Sequence, residues 1–302
     1  MTTRLKLKMT YTDAMPARDQ PAILFLHIPR TGGTTLNRAI RLKIDSKREI
    51  MRSAFRPARN ARQFARYARS LPPERLGRIR YFRGHFSYGI HEELPKPARY
   101  ITLLRDPVDR VLSTYFFFIK TLGSDDVTIE DFVRKGRQED ARLHIGWTDN
   151  VQVRMLAAHG GKPVRVPIGE CTRDMLELAM DRIASESFLL AGVTERFDES
   201  ILLLKEMLGW HNAYYARFHT SNVRREPRNL PEGTREMIES YNSLDRELYD
   251  YANERLDKGI QKSGASFARE FETFRSTNRT YDAIMRPMLQ GLDSFLTRAF
   301  KR

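Results

Sequence analysis

A chain of 302 residues, 41% of them hydrophobic, can bury a substantial core, so disorder throughout is excluded and one large α/β domain or two small ones are expected. The 52 Lys and Arg against 38 Asp and Glu leave a net charge of +14, which favours phosphorylated or polyanionic partners without choosing among nucleotide, glycan, acidic lipid and nucleic acid. Cys171 is the only cysteine, which excludes an internal disulfide and any cysteine-based metal cluster and points to a reducing compartment.

Residues 1–21 read as a leader carrying charges throughout and no apolar h-region. Nowhere does an uncharged apolar stretch approach ~18 residues, so neither export nor membrane spanning is expected, and a cytoplasmic location is. The apolar run Ala22–Leu26 predicts a buried strand, and Thr34 to Ile44 a helix with Leu36, Ile40 and Ile44 on one face. Between them lies "HIPRTGG". Glycines between a strand and a helix turn backbone N–H groups and a helix N-terminus toward an anion, and Arg30, Thr31, Thr34 and Thr35 add donors. The GxxxxGK[ST] signature is absent, because no Lys follows Gly32 and Gly33 and the basic residue precedes them.

From Arg52 to Arg83 runs a stretch with ten Arg and one acid, Glu74, punctuated by Phe55, Phe64 and Tyr67. It reads as a solvated helix face with snorkelling arginines; acceptor binding and peripheral membrane-surface contact are the alternatives. Pro72-Pro73 ends that helix. "YFRGHFSYG", 81–89, predicts a short strand and a loop carrying His85. In 98–122, apolar Tyr100–Leu104, a break at Asp106-Pro107 and a helix with Val108, Val111, Leu112 and Tyr115 inward make a second strand–turn–helix. Helices are expected at 128–135, 147–158 and 172–185, then "SFLLAGVTE" as a buried strand and "RFDESILLLKEMLGW" as an amphipathic helix. One long helix is expected from Thr234 to about Leu256. Residues 264–302 hold Phe267, Phe271, Phe274, Ile284, Met288, Leu292 and Phe295 in two helical patterns. These need a partner surface: the chain's own domain, an oligomer contact or a membrane surface.

Strands alternating with helices predict an α/β fold: a P-loop-like three-layer arrangement with a mostly parallel sheet, plus a helical C-terminal extension. The expected divisions are a leader at 1–21, a main domain at 22–257 and the extension at 258–302.

Arg105 at the end of the second strand and Ser113 one to two turns into the next helix converge on a second anion, because strand C-termini in such sheets open into one crevice. Two anion sites in one crevice suggest a nucleotide phosphorylated at two separate positions. The alternative for "RDPVDR" is a helix-start ion-pair network of Arg105 and Arg110 with Asp106 and Asp109. His27, His91, His144, His159, His211 and His219 show no HxxxH or HxH spacing and read as structural or acceptor-side residues. Trp147, Asn150, Gln152 and Arg154 share one predicted helix, yet Gln152 and Arg154 stand about 200° apart, so not all of them face one ligand.

"HIPRTGGTT" followed by "LLRDPVDRVLSTYFFF" resembles the carbohydrate sulfotransferase family that includes heparan sulfate 2-O-sulfotransferase, and its soluble bacterial relatives. "RGHFSYG", "DNVQVRMLAAHG", "FLLAGVTERFDESILLLKEMLGW" and "NVRREPRNLPEGTREMIESYNSLDRELYDYANERL" resemble later family blocks in the same order, covering roughly 22–257. The resemblance implies 3′-phosphoadenosine 5′-phosphosulfate (PAPS) as donor and 3′-phosphoadenosine 5′-phosphate (PAP) as product. It assigns Arg30, Thr31, Gly32, Gly33, Thr34 and Thr35 to the 5′ end, Arg105 and Ser113 to the 3′-phosphate, Arg224 and Arg225 to a loop closing over the nucleotide, and His85 to the general base. Relatives usually carry Lys where this chain has Arg30. Arg keeps the charge but does not readily give up a proton, so Arg30 is assigned electrostatic stabilisation of the leaving phosphate.

The residue types suit that chemistry by themselves. Moving a sulfuryl group to an alcohol needs a base for the hydroxyl proton and positive charge near the departing oxygen. Sulfuryl carries less charge than phosphoryl, so no metal is required. The expected acceptor is a hydroxyl of a glycan or glycolipid, with no nucleic-acid partner and with a homo-oligomer left open. Two other readings stand beside this one: a nucleotide or small-molecule kinase with Asp106 on Mg²⁺, and a non-catalytic polyanion binder built on the Arg52–Arg83 block.

Overall fold

The computed structural model describes residues 21–43, 50–52, 66, 69–94, 96–122, 127–135, 147–217, 230 and 233–299. Five strands, β1 (Ala22–Leu26), β2 (Ile50–Arg52), β3 (Tyr81–Gly84), β4 (Ala98–Leu104) and β5 (Phe188–Val193), form one sheet in the order β2-β3-β1-β4-β5, with every pairing parallel. Parallel strands need crossover connections, which here carry helices to both faces of the sheet.

The central strand shows why the runs read as strands. All five residues of β1 are buried. Ala22, Leu24 and Leu26 face a cluster with Leu176, Ala179 and Ile183 of α6 (Arg173–Ala184) and Leu248, Ala252 and Leu256 of α9 (Ser243–Ser263). Ile23 and Phe25 face Leu36 and Ile40 of α1 (Gly33–Lys43) and Leu204 and Leu208 of α7 (Phe197–Leu208). A strand covered on both sides carries a continuous apolar run, not an alternating one. Beside the sheet, α3 (Pro107–Leu122), α4 (Ile129–Lys135) and α8 (Thr234–Tyr241) share a third cluster of Val111, Phe132 and Ile238 with their neighbours.

Several expected boundaries move. The helix expected at 147–158 is α5, Val151–Leu156, entered through a left-handed Asn150. The proline pair ends one helical stretch, at 69–70, and Pro73 opens a short α2 (Pro73–Arg78). Proline suits a first helical position because its missing N–H has no partner there. The long helix expected from Thr234 is two, α8 and α9, broken at buried Asn242, whose Nδ2 donates to the Ile238 and Thr148 carbonyls while its Oδ1 accepts from the Asn150 amide. The two C-terminal patterns are one helix, α10 (Ala265–Ala299), with Pro287 inside it. The edge strand β2, which ends where the basic stretch begins, has no sequence signal of its own; residues 53–65, 67 and 68 of that stretch lie outside the described residues.

α10 packs on α7 and α9 and buries Phe267 and Phe274. Its Asn278 Oδ1 accepts from the Tyr215 amide at 2.9 Å and its Asp282 Oδ1 from the Arg217 amide at 2.8 Å. Four residues of helix rise about 6 Å and two residues of extended chain about 6.6 Å, so side chains at i and i+4 match alternate amides of an extended segment. Tyr214 stacks between Phe274 and Tyr281. Ile284 and Met288 of the same helix remain exposed. No helix among the described residues is long and apolar enough to cross a membrane.

Candidate active site

The site lies where β1, β3, β4 and β5 end. β1 and β3 run parallel with Leu26 opposite Gly84, so the next residues, His27 and His85, leave the sheet side by side. The His27 amide donates to the Gly84 carbonyl at 3.0 Å. His85 Nδ1 lies 2.8 Å from the His27 carbonyl oxygen. A carbonyl only accepts, so Nδ1 carries the proton and Nε2 keeps a lone pair. The two imidazoles stack with centroids 4.3 Å apart, and Phe25 backs His27 at 5.3 Å. Burial holds the His85 pKa below its ordinary 6.5, opposed by the bond to His27 and aided by Arg83. Burial, then His85, Arg83 and Arg30, push His27 further down. Both rings are therefore neutral at physiological pH.

The loop after β1 is shaped by glycine at two places. Gly32 has φ of +74°, and its carbonyl accepts the Thr35 and Leu36 amides that open α1. At Gly33 a Cβ would lie 2.1 Å from the His27 ring, so only glycine fits. Arg30 takes φ of 69° without being glycine. That turn sends its side chain to α3, where Nε donates to Ser113 Oγ at 3.1 Å and the guanidinium lies 4.8 Å from the Phe117 ring centre. Ser113 accepts in that bond and keeps its own hydroxyl proton for another acceptor. The Thr31 hydroxyl points inward and donates to the Ile28 carbonyl, so this side chain builds the loop; Thr34 is exposed and Thr35 half-buried at its rim. Thr194, after β5, sits 2.8 Å from the carbonyls of both Thr31 and Leu104 and ties the loop to β4.

Arg105 meets this loop directly: its Nη1 donates to the Arg30 carbonyl at 3.2 Å. The backbone of Arg105 is held from both sides by Gln152, whose Oε1 accepts the Arg105 amide and whose Nε2 donates to the Arg105 carbonyl, each at 2.9 Å. Carboxylates flank the side chain at longer range, Glu195 at 3.8 Å and Asp109 at 3.9 Å. Burial raises the pKa of Glu195, while the Asp106 amide and Tyr249 hydroxyl donate to its oxygens. Asp106 caps α3 through the Asp109 amide and pairs with Arg246. Of the expected ion-pair network the structure shows the Arg105–Asp109 pair, while Glu195 joins Arg105 and Arg246 takes Asp106. Arg110 plays a different part: it is 0% exposed, donates to the Trp147 carbonyl, and burial lowers its pKa to about 10.

The structure therefore brings together Arg30, Gly32, Gly33, Arg105 and Ser113, with His85 beside the loop through His27. Arg224 and Arg225 lie outside the described residues. Gln152 and Arg154 point apart, as their spacing requires: Gln152 clamps Arg105, whereas Arg154 is buried against Asp149 and the Val166 and Pro167 carbonyls. Glu195, Thr194 and the clamping role of Gln152 escape a reading of the sequence. Their one available signal is position, since "VTE" follows a buried strand whose end opens into the same crevice.

Two guanidiniums held this close favour an anion between them. Burial, and then the charge of Arg105, lower the pKa of Arg30. A phosphate would relieve both effects, and the Ser113 hydroxyl and the amides opening α1 are donors of the kind it takes.

A family model described as galactose-3-O-sulfotransferase matches residues 4–291, a span that runs past 257 into α10. Galactose-3-O-sulfotransferase 3 of Mus musculus is 24% identical over 288 residues, covering 87% of this chain and 64% of that protein. The Homo sapiens protein of the same name is 23% identical over 288 residues, with the same coverage. Heparan sulfate 2-O-sulfotransferase 1 of Gallus gallus is 23% identical over 211 residues, 65% of this chain and 57% of its own. The chain thus spans less than two thirds of the length of these relatives.

Proposed function

Since the chain belongs to the galactose-3-O-sulfotransferase family, we propose that it transfers a sulfuryl group from PAPS to a hydroxyl of a glycan or glycolipid. The observation that carries this reading is the convergence of Arg30, Ser113 and Arg105, two cations and a hydroxyl donor drawn from two strand–turn–helix units. ADP has nothing to place on Arg105 and Ser113; a nucleotide with a 3′-phosphate does. The glycine loop and the start of α1 take the 5′ end.

PAPS supplies a sulfuryl group joined to phosphate through an oxygen that can leave. His85 Nε2 takes the proton of the accepting hydroxyl, with Nδ1–H anchored on the His27 carbonyl so that the lone pair is presented and the ring cannot flip. The acceptor oxygen bonds to sulfur as the bond to the bridging oxygen breaks, and that oxygen keeps the electron pair on PAP. Arg30 and the loop amides stabilise the charge left there. Arg30 serves electrostatically, since burial leaves its guanidinium still a cation at neutral pH. Asp106, the candidate Mg²⁺ ligand of the kinase reading, already serves as helix cap and as partner of Arg246.

Calorimetry with PAP, ADP and ATP tests this reading. PAP is expected to bind far more tightly than ADP, and equal affinities would overturn the assignment of Arg105 and Ser113.

A further inference from the structure

The residue after β1 touches both halves of the proposed site. The His27 ring fills the space where a side chain at position 33 would stand: a Cβ there would lie 2.1 Å from its Cδ2, 2.2 Å from Nε2 and 3.0 Å from Cγ. The opposite end of the same residue, its carbonyl, holds His85 Nδ1 at 2.8 Å, and the two rings are in stacking contact at 4.3 Å. Phe25 stands behind the ring at 5.3 Å. The ring is therefore confined by Phe25, His85 and the first residue of α1, with no slack toward Gly33.

We propose that His27 is a positioning residue that couples occupancy of the glycine loop to the orientation of His85, its ring bearing on Gly33 and its carbonyl and ring face fixing the imidazole. The identities of the loop's ligand and of His85 as base rest on the sulfotransferase reading; the contacts do not. Close-packed groups shift together or not at all, so an anion drawing in the amides at the start of α1 moves a backbone that lies directly on the ring. The charged groups acting on the pair are Arg83 and Arg30, both cations: Arg83 opposes protonation of both rings from the β3 side, and Arg30 opposes that of His27 from the loop side.

The experiment uses the full chain labelled with ¹⁵N-histidine, His85 signals being identified by their loss in His85→Gln. In the unsubstituted protein His85 is expected as the Nδ1–H tautomer, with signals that shift when PAP is added. His27→Ala keeps the carbonyl and with it the tautomer, but should abolish that shift while changing PAP affinity by less than about 3-fold, whereas His27→Phe, which keeps a ring in place, should restore it. Gly33→Ala should weaken PAP binding by about 10-fold or more, and Gly33→Ala with His27→Ala should recover most of the loss, because the clash is gone. Additive effects of the two substitutions, or a PAP-induced His85 shift that survives His27→Ala, would overturn the proposal. An unsubstituted chain that ignored PAP would instead overturn the sulfotransferase reading, and the His85 ring signals of the free protein, compared with those of His27→Ala, would still decide whether the His27 ring orients His85, unchanged signals meaning that it does not.

Discussion

The ends of β1, β3 and β4 and the seam between α10 and residues 213–217 are both polar and both largely buried, yet they are built on opposite plans. Along the seam acceptors meet donors: Asn278 takes the Tyr215 amide, Asp282 takes the Arg217 amide and pairs with Arg286, and Asp198 takes the Tyr215 hydroxyl. At the strand ends like charges are gathered, with Arg30 beside Arg105 and the Glu195 and Asp109 carboxylates 3.8 and 3.9 Å from Arg105. Satisfied polar groups specify a docking, whereas cations gathered side by side favour an anionic ligand. On the proposed sulfotransferase reading, the difference separates residues that hold the molecule together from residues that act.

Substitutions can break or sharpen that division. The largest effect is expected at His85. His85→Ala should lower sulfate transfer to an accepted sugar by about 10²–10⁴-fold while PAP affinity, read by calorimetry, stays nearly unchanged. Because its pKa is lowered, the neutral base persists as pH falls, so the acid limb of kcat/KM should have its midpoint below 6.5. A limb centred above 6.5, or a parallel loss of PAP binding, would move His85 out of the catalytic half. Next, Arg105→Ala should cost PAP about 10–100-fold in affinity and leave ADP binding unchanged, erasing the preference for a 3′-phosphate.

The seam should respond the other way round. Asp282→Ala leaves the Arg217 amide and Arg286 without their acceptor and should lower stability by about 1–3 kcal/mol in urea unfolding, with PAP affinity of the folded protein unaltered. Asp282→Asn, which keeps an acceptor, should lose less. A fall in PAP affinity in either variant would erase the boundary between the two regions. Smallest is Phe117→Ala: the ring is 45% exposed beneath Arg30, so its removal should weaken PAP binding by only about 2–5-fold.

Much of the fold was legible because β1, β4 and β5 are covered on both faces and so appear as unbroken apolar runs. The glycine loop was legible too, from Gly32 and Gly33 standing between a strand and a helix. What could not be read depends on register and on distant partners. Nothing in "FLHIP" and "RGHFS" says that His27 and His85 stack; that follows from Leu26 standing opposite Gly84. Gln152 clamps a backbone 47 residues away, and Arg246 pairs with Asp106 across 140. The break at Asn242 was invisible because Met237, Ile238, Tyr241, Leu244 and Leu248 keep helical spacing across it, while its cause is a contact with Thr148 and Asn150. Pro287 failed to divide α10 because it lies on the exposed side, where water can serve the carbonyl it leaves unpaired.

Arg30 has one more consequence, for how this chain would change under selection. Its left-handed backbone costs about 1–2 kcal/mol that glycine would not pay, so a population screened for heat resistance alone should drift to glycine at position 30. A population screened for nucleotide capture should hold a cation there against that drift. Running the two screens in parallel would read, from the residue each retains, how much folding stability this lineage gives up for one charge.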